Sequence, residues 1–355
     1  MKSTVLIIAA LYGHALLAGM ASFSVCVLDA DTGLPIKGVK IEGAFLNYSR
    51  GWNASAKDNN VDAWTDSNGY AKLSGNTEAG VGGYRILRMP GYYNAEWTEI
   101  EFREQSMLRL GAWIPSDIVS TARLDRVVNP IPLFVKKALG EYRKREQWYY
   151  FLDADYHEVS KLDVTNDVPV VKDVILSYDL LKGAYLPPYG NGEKADVVFK
   201  FNETFYTWDM KQGGPGVSLY KKFKMDMAVD FPGEGNGLCE VSYVPTAGIL
   251  LRTAPSEGYS PKLTRWYARH VGEHGEKTNY DKKRCYAFRI RTKYDDRGNV
   301  ESAFYGKIYG DFNIQDIDGV EFLYYLNQTM NDRNLEWDMK NNLCPSPGYI
   351  GSPRP

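Results

Sequence analysis

The sequence predicts an all-β chain of two domains, and three observations lead there. Short apolar runs, separated by Gly, Pro, Asn and Asp turns, recur at roughly ten-residue spacing through the first third of the chain. Longer segments of the second half alternate apolar and polar residues with the period of two that a half-buried strand requires. Helical periodicity extends no further than short patches. A length of 355 residues suits two domains at roughly 100–200 residues each.

Taken in order, the chain opens with Lys2 followed by STVLIIAALYGHALLAGMA. A basic residue, an apolar core and small residues at Gly19 and Ala21 have the layout of an export signal. A signal peptide over residues 1–21 is expected, with the mature chain starting at Ser22 and working in the periplasm, on the outer surface or as a secreted protein. Gly13 and His14 interrupt the apolar core, which is short for an anchor. No later stretch reaches the roughly 20 apolar residues that span a bilayer. Phe23, Ser24 and Val25 before Cys26 do not form a lipoprotein signal.

Residues 22–128 read as a β-sandwich. VCVLDADTGLPIKGVKIEGAF, residues 25–45, supplies two strands around a turn holding Asp29, Asp31, Thr32, Gly33 and Pro35. AWTDSNGYAKLSG follows, with Asn68-Gly69 as a hairpin signal because both central positions of that turn want positive φ. GYRILRMPGYYNAEWTEIEFRE adds strand residues on both sides of Pro90-Gly91, and DIVSTARLDRV closes the set. VLDADTGLPIKGVKIEG, TDSNGYAKL and YRILRMPGYY together resemble the carboxypeptidase regulatory-like, or prealbumin-like, family. That resemblance implies a seven-stranded, transthyretin-like sandwich on an exported bacterial protein, without catalytic residues of its own. The segment LNYSRGWNASAKDNNVDAW is longer than the family's minimal pattern. A bacterial source also implies that the sequons at Asn47, Asn53, Asn202 and Asn327 are silent.

Residues 129–145 read as a linker, with Pro130 and Pro132 breaking the sandwich and LFVKKALGEYRKR forming a short helix. Residues 146–343 form a second β-rich domain, and 344–355 a C-terminal tail. VSLYKKFKMDMAVDF alternates well, and Cys285–Tyr294 with Val300–Phe312 reads as a long hairpin turned by DDRGN. No repeat of the first domain is evident. SYDLLKGAYLPPYGNGEKADVVFKF and NDRNLEWDMKNNL resemble segments of uncharacterised exported bacterial proteins, with no activity attached.

Composition excludes some functions. Net charge is −2, and no basic block exceeds KKFK at Lys221–Lys224, so the concentrated basic face of a nucleic-acid partner is missing. Four cysteines, Cys26, Cys239, Cys285 and Cys344, are compatible with two disulfides, while Cys26 and Cys285 lie inside expected strands where buried thiols also fit. Without Cys-x-x-Cys a cysteine zinc site is not expected.

The remaining chemistry is sparse. YGNGEKAD lacks the spacing of a phosphate loop and reads as a turn. RHVGEHGEK holds His270, Glu273, His274 and Glu276 among glycines, and the solvated-loop reading outweighs a metal site. Asp153, Asp155 and His157 would share one strand face and are the candidate metal ligands, against a charged edge strand. Asp311, Asp316 and Asp318 around Gly319 space oxygens as a calcium loop does, but the twelve-residue pattern ending in Glu is incomplete and a plain Asp-Gly turn outweighs it; no cofactor is expected beyond such a calcium ion. The pairs Asp316/Asp318 and Glu336/Asp338 are candidate glycosidase carboxylates. No Gly-x-Ser-x-Gly elbow exists. Aromatic residues make up 14% of the chain, and those beside turns are candidate sugar platforms: Tyr48 and Trp52, Tyr185 and Tyr189, Trp266 and Tyr267. The expected function is non-catalytic binding of a glycan or an extracellular protein, against a secreted glycoside hydrolase or a structural envelope protein.

Overall fold

Buried faces on alternating residues decide where this chain forms strands. In the computed structural model the described residues are 19–46, 59–86, 89–102, 107–109, 111–114, 118–145, 148–152, 158–163, 175–208, 221–241, 250–269, 276–315, 319–350 and 355. The regular elements named among them are β-strands, and no helix among them is long and apolar enough to cross a membrane. They fall into two compact units, the first ending at Val127 and the second running from Val128 to Pro355.

The first unit contains β1 (Gly19–Asp29), β2 (Lys40–Phe45), β3 (Asn59–Trp64), β4 (Tyr70–Thr77), β5 (Val81–Ile86), β6 (Ala95–Glu101), β7 (Met107–Arg109), β8 (Ala112–Ile114) and β9 (Ile118–Leu124). One sheet joins β4, β1, β8 and β7, with β9 also on β1, and the other runs β3-β2-β5-β6. Phe23, Val25 and Val27 of β1 meet Ile41 and Phe45 of β2 and Tyr84 and Ile86 of β5 in one core. The β-sandwich read from the sequence is therefore present. Beyond the seven strands of the expected pattern, the short hairpin β7–β8 extends the β1 sheet.

Two local expectations change. A turn forms at Asn68-Gly69, but only Gly69 takes positive φ, at 78°; the Gly69 amide bonds Asp66 O at 3.1 Å and the Asp66 carboxylate accepts the amides of Asn68 and Tyr70. Its arms part, however, because β3 pairs with β2 while β4 pairs with β1. Ala71 and Leu73 of β4 fill the β1 side of the core, and Gly43 on β2 leaves the room that Leu73 occupies. The turn therefore carries the chain from sheet to sheet. Gly19, Met20 and Ala21, expected to end a signal peptide, pair here with Thr77, Asn76 and Gly75, and Ala21 is buried.

The DADTG turn has a structural purpose. Asp29 Oδ1 accepts the amides of Asp31 and Thr32 and the Thr32 hydroxyl, at 2.8–3.1 Å. Asp29 Oδ2 accepts from the Tyr92 hydroxyl at 2.7 Å and from Arg126. Burial by itself would push this carboxyl up, but Arg126, Tyr92 and Thr32 hold it well below the usual carboxylate range. The motif thus ties the first turn to the Pro90-Gly91-Tyr92 turn and to Arg126, just beyond β9.

The second unit contains β10 (Ile131–Arg145), β11 (Trp148–Leu152), β12 (Glu158–Asp163), β13 (Ile175–Asp179), β14 (Ala184–Tyr185), β15 (Val197–Trp208), β16 (Lys221–Asp230), β17 (Gly237–Val241), β18 (Lys262–Arg269), β19 (Glu276–Thr278), β20 (Cys285–Tyr294), β21 (Val300–Tyr309), β22 (Asn313–Gln315), β23 (Gly319–Asn327) and β24 (Trp337–Asn342). One sheet follows β12-β11-β10-β23-β21-β20-β17, with β22 on β23 and β24 on β10. The other follows β14-β13-β15-β16-β18-β19. Phe199 and Phe201, Met225 and Met227 on one side meet Phe288, Ile290, Phe322 and Tyr324 on the other.

The segment 129–145, expected to be a linker ending in a short helix, holds β10 instead. Leu133 and Val135 face one cluster while Phe134 and Ala138 face another, so both faces of the strand are buried. Pairing with β11, β23 and β24 outweighs the local helix preference of KKALGEYRKR. Within the segment 344–355, expected to be a tail, Cys344 is buried, Pro347 O accepts the Lys137 amide and Pro355 O accepts from Lys307.

The β20–β21 hairpin forms as expected, with Asp295 Oδ1 accepting the amides of Arg297 and Asn299. Its register slips after Ile290, and Arg291 takes a left-handed φ of 54° there. Such a bulge re-aims a side chain.

Both units contain the same aspartate turn, a repeat that the sequence pattern does not reveal. Asp29 and Asp179 each accept the amide three residues on through Oδ1, at 2.8 and 3.0 Å. Their carbonyls accept the amides of Gly33 and Gly183, both at 2.8 Å. These glycines sit at φ 69° and 67°, a conformation that costs a residue with a Cβ about 1 kcal/mol or more. Ile36 N then bonds Val27 O, and Leu186 N bonds Ser177 O at the matching offset. Each aspartate also meets one arginine, Arg126 or Arg291.

Candidate functional site

The segment 179–196 is bound tightly to itself, and the closed loop that results forms one wall of a cleft. Asp179 Oδ2 accepts the amides of Glu193 and Lys194, both at 3.1 Å, and Asp196 Oδ2 accepts the Leu180 amide at 3.0 Å. Arg291 donates to Asp179 at 2.7 Å and to both oxygens of Asp196 at 2.8 and 2.9 Å. Both carboxylates are buried. Burial pushes each upward; at Asp179 three backbone amides and Arg291 outweigh it and the carboxyl falls below its ordinary range, whereas at Asp196 burial prevails over Arg291. The bulge at Arg291 delivers the cation that the two carboxylates require. Gly190 lets the loop close, because a Cβ there would stand 2.5 Å from Tyr185 O.

Closing this loop over the edge of the β14 sheet leaves a cleft of about 260 Å³ beside β10. Its walls include Phe134, Lys136, Tyr178, Lys182, Tyr185 and Tyr189. Tyr178 and Tyr185 meet edge to face with ring centres 4.8 Å apart. Burial drives both phenols upward, so they are neutral donors at any working pH. The Tyr178 hydroxyl is buried beside the Tyr324 hydroxyl, which donates to Leu180 O at 3.0 Å. Lys136 stands between Phe134 and Ala138 on the face of β10 turned to the cleft, its stem beside Gly183. Lys182 forms an exposed pair with Glu193.

Two of the aromatic candidates, Tyr185 and Tyr189, therefore line one cleft. Tyr185 is a buried wall and Tyr189 is half-buried. Trp266 and Tyr267 lie within β18 rather than beside a turn; Tyr267 packs into the core and Trp266 is half-buried. Tyr48 and Trp52 lie outside the described residues, as do Asp153, Asp155 and His157, His270, Glu273 and His274, and Asp316 and Asp318. Among the described residues no group of three or more His, Cys, Asp or Glu is placed to hold a metal. Asp311 is spent on Arg265, at 2.7 and 2.8 Å, and on the amides of Asp281 and Phe312. Glu336 accepts the amides of Val128 and Asn129, both at 2.8 Å, and Asp338 those of Lys340 and Asn341. Glu336 is buried and Asp338 half-buried, and backbone amides bond both carboxylates. No disulfide joins the four cysteines, so the buried-thiol reading of Cys26 and Cys285 holds and the two-disulfide reading does not.

Sequence reasoning passed over Lys136, Lys182 and Tyr178. The only signal for Lys136 was a charge at an inward position of a strand, legible once β10 is known to be a strand.

No protein-family model matches the chain, and no curated protein does. Among solved structures it is similar to the full-length major pilin SpaD from Corynebacterium diphtheriae at 12% identity, over 85% of this chain and 90% of that one, with a TM-score of 0.23. A DUF3823 family protein from Parabacteroides merdae matches at 11% identity over 52% of this chain and 89% of its own, with a TM-score of 0.19. BcpA, the major pilin subunit of Bacillus cereus, matches at 9% identity over 90% and 99%, with a TM-score of 0.20. TM-scores this low carry no argument about this chain.

Proposed function

We propose that this chain is an exported, non-catalytic binding protein, and that the cleft beside β10 takes a sugar. The observation that carries the reading is the convergence of Tyr185 and Tyr189 on one cleft with Lys136 and Lys182. Tyrosine offers a sugar an apolar face and a polar tip. A volume of about 260 Å³ is smaller than the ~300–1,000 Å³ of drug-sized sites, which suits one sugar ring. No described carboxylate lines the cleft, which favours binding over glycoside hydrolysis. Export rests on the N-terminal segment alone, and the first unit, with its resemblance to the carboxypeptidase regulatory-like family, serves as a scaffold. The test is calorimetric titration with a panel of mono- and disaccharides. A saccharide that binds, with affinity falling at least tenfold in Tyr189→Ala, supports the proposal. A panel without a binder, or Tyr189→Ala with unchanged affinity, overturns it.

A further inference from the structure

We infer, resting on the sugar reading above, that the cleft selects an acidic sugar, a ring bearing a carboxylate that Lys136 receives. Among the described residues the charged side chains lining the cleft are Lys136 and Lys182; no aspartate or glutamate is among the lining residues, and Glu193 meets Lys182 from outside the lining. Lys136 has no ion pair among the described residues, whereas its neighbour Lys137 points to the opposite face and binds Glu321 at 2.9 Å. The Lys136 stem is confined: a Cβ on Gly183 would come within 2.7 Å of its Cδ and within 2.9 Å of Phe134 Cζ. A confined stem holds its ammonium at the cleft without the full entropy loss of ordering a free lysine. Lys182 is the second cation, and its pairing with Glu193 is an exposed contact of the kind that contributes little and yields to a competitor. An anion meeting two cations in a partly enclosed cleft is attracted more strongly than in open water.

The test compares methyl glucuronide with methyl glucoside, two rings differing in the carboxylate, and adds acetate as a carboxylate without a ring. Binding is read by titration on the full chain. Methyl glucuronide should bind at least tenfold more tightly than methyl glucoside and than acetate, and its affinity should fall as salt rises. Lys136→Met should erase the preference for the acid, read as the ratio of the two glycosides' affinities in the same variant. Lys182→Gln, on an exposed side chain that folding does not need, should weaken the acid several-fold. Equal affinity for the two glycosides overturns the charge assignment and leaves the sugar reading standing. Acetate binding as tightly as the glucuronide overturns the role of the ring. Binding of none of the three overturns both readings.

Discussion

Arg291→Met should destabilise the second unit by about 3 kcal/mol. Arg291 is the cation facing two buried carboxylates, Asp179 and Asp196, with three hydrogen bonds of 2.7–2.9 Å. Removing one partner of a buried ionic group costs about 3–5 kcal/mol, because the remaining charge is left uncompensated. The lower end applies here, since the Arg291 side chain is 22% exposed and Asp179 keeps its backbone donors. Methionine at this position inherits the same φ of 54°, so backbone strain does not enter the difference. In a unit of this size the loss corresponds to a fall of about 6–12 °C in Tm. Calorimetry on the full chain reads it as a shift of the second unit's transition. Asp196 carries a raised pKa, so its ionised form opposes folding above that pKa and its neutral form favours folding below it. The penalty of Arg291→Met should therefore be greatest at neutral pH and shrink as acid protonates Asp196. Adding Asp196→Asn should restore part of the loss. A deficit under about 1 kcal/mol, or a double variant no more stable than Arg291→Met, would refute the reasoning.

Three further outcomes follow from the same geometry. The folded pKa of Asp29 is depressed, so its contribution is present above the unfolded value and lost as pH falls; the stability gap between the protein and Asp29→Asn should be widest near neutrality and close in strong acid, as read by denaturant titration across pH. Gly33→Ala and Gly183→Ala impose the same backbone strain, but a Cβ at Gly33 meets nothing within 4 Å whereas one at Gly183 strikes Lys136 and Phe134, so Gly33→Ala should cost about 1 kcal/mol and Gly183→Ala clearly more. Alkylation of the native protein followed by mass spectrometry should label Cys239 first, because Cys285 is buried and its thiol is pushed up to about 12.

The sandwich of the first unit was legible because its signals are local. Asp29, Gly33 and Pro35 act within one turn, and a turn forms at Asn68-Gly69, though with positive φ at Gly69 alone rather than at both positions. Which sheet each arm of that turn joined was not legible, because the choice depends on Leu73 fitting over Gly43 across the core. The same limit hid β10. Its residues favour a helix locally, and only pairing with β23, more than 180 residues away, makes them a strand. The repeated aspartate turn escaped for a different reason. DADTGLPI and DLLKGAYL share only the aspartate and the glycine, while hydrogen bonds at equal offsets carry the likeness. At the cleft, Tyr185 and Tyr189 were readable as aromatics beside a proline turn, but Lys136 reaches them from a strand about 50 residues earlier in the chain.

Backbone amide shifts followed by NMR during titration with methyl glucuronide test the central claim most directly. The account predicts perturbations clustered at Lys136, at Lys182–Asn191 and at Cys344–Ser346, the segments that surround the cleft. Shifts confined to the first unit, or spread over the second with none at these segments, would contradict it.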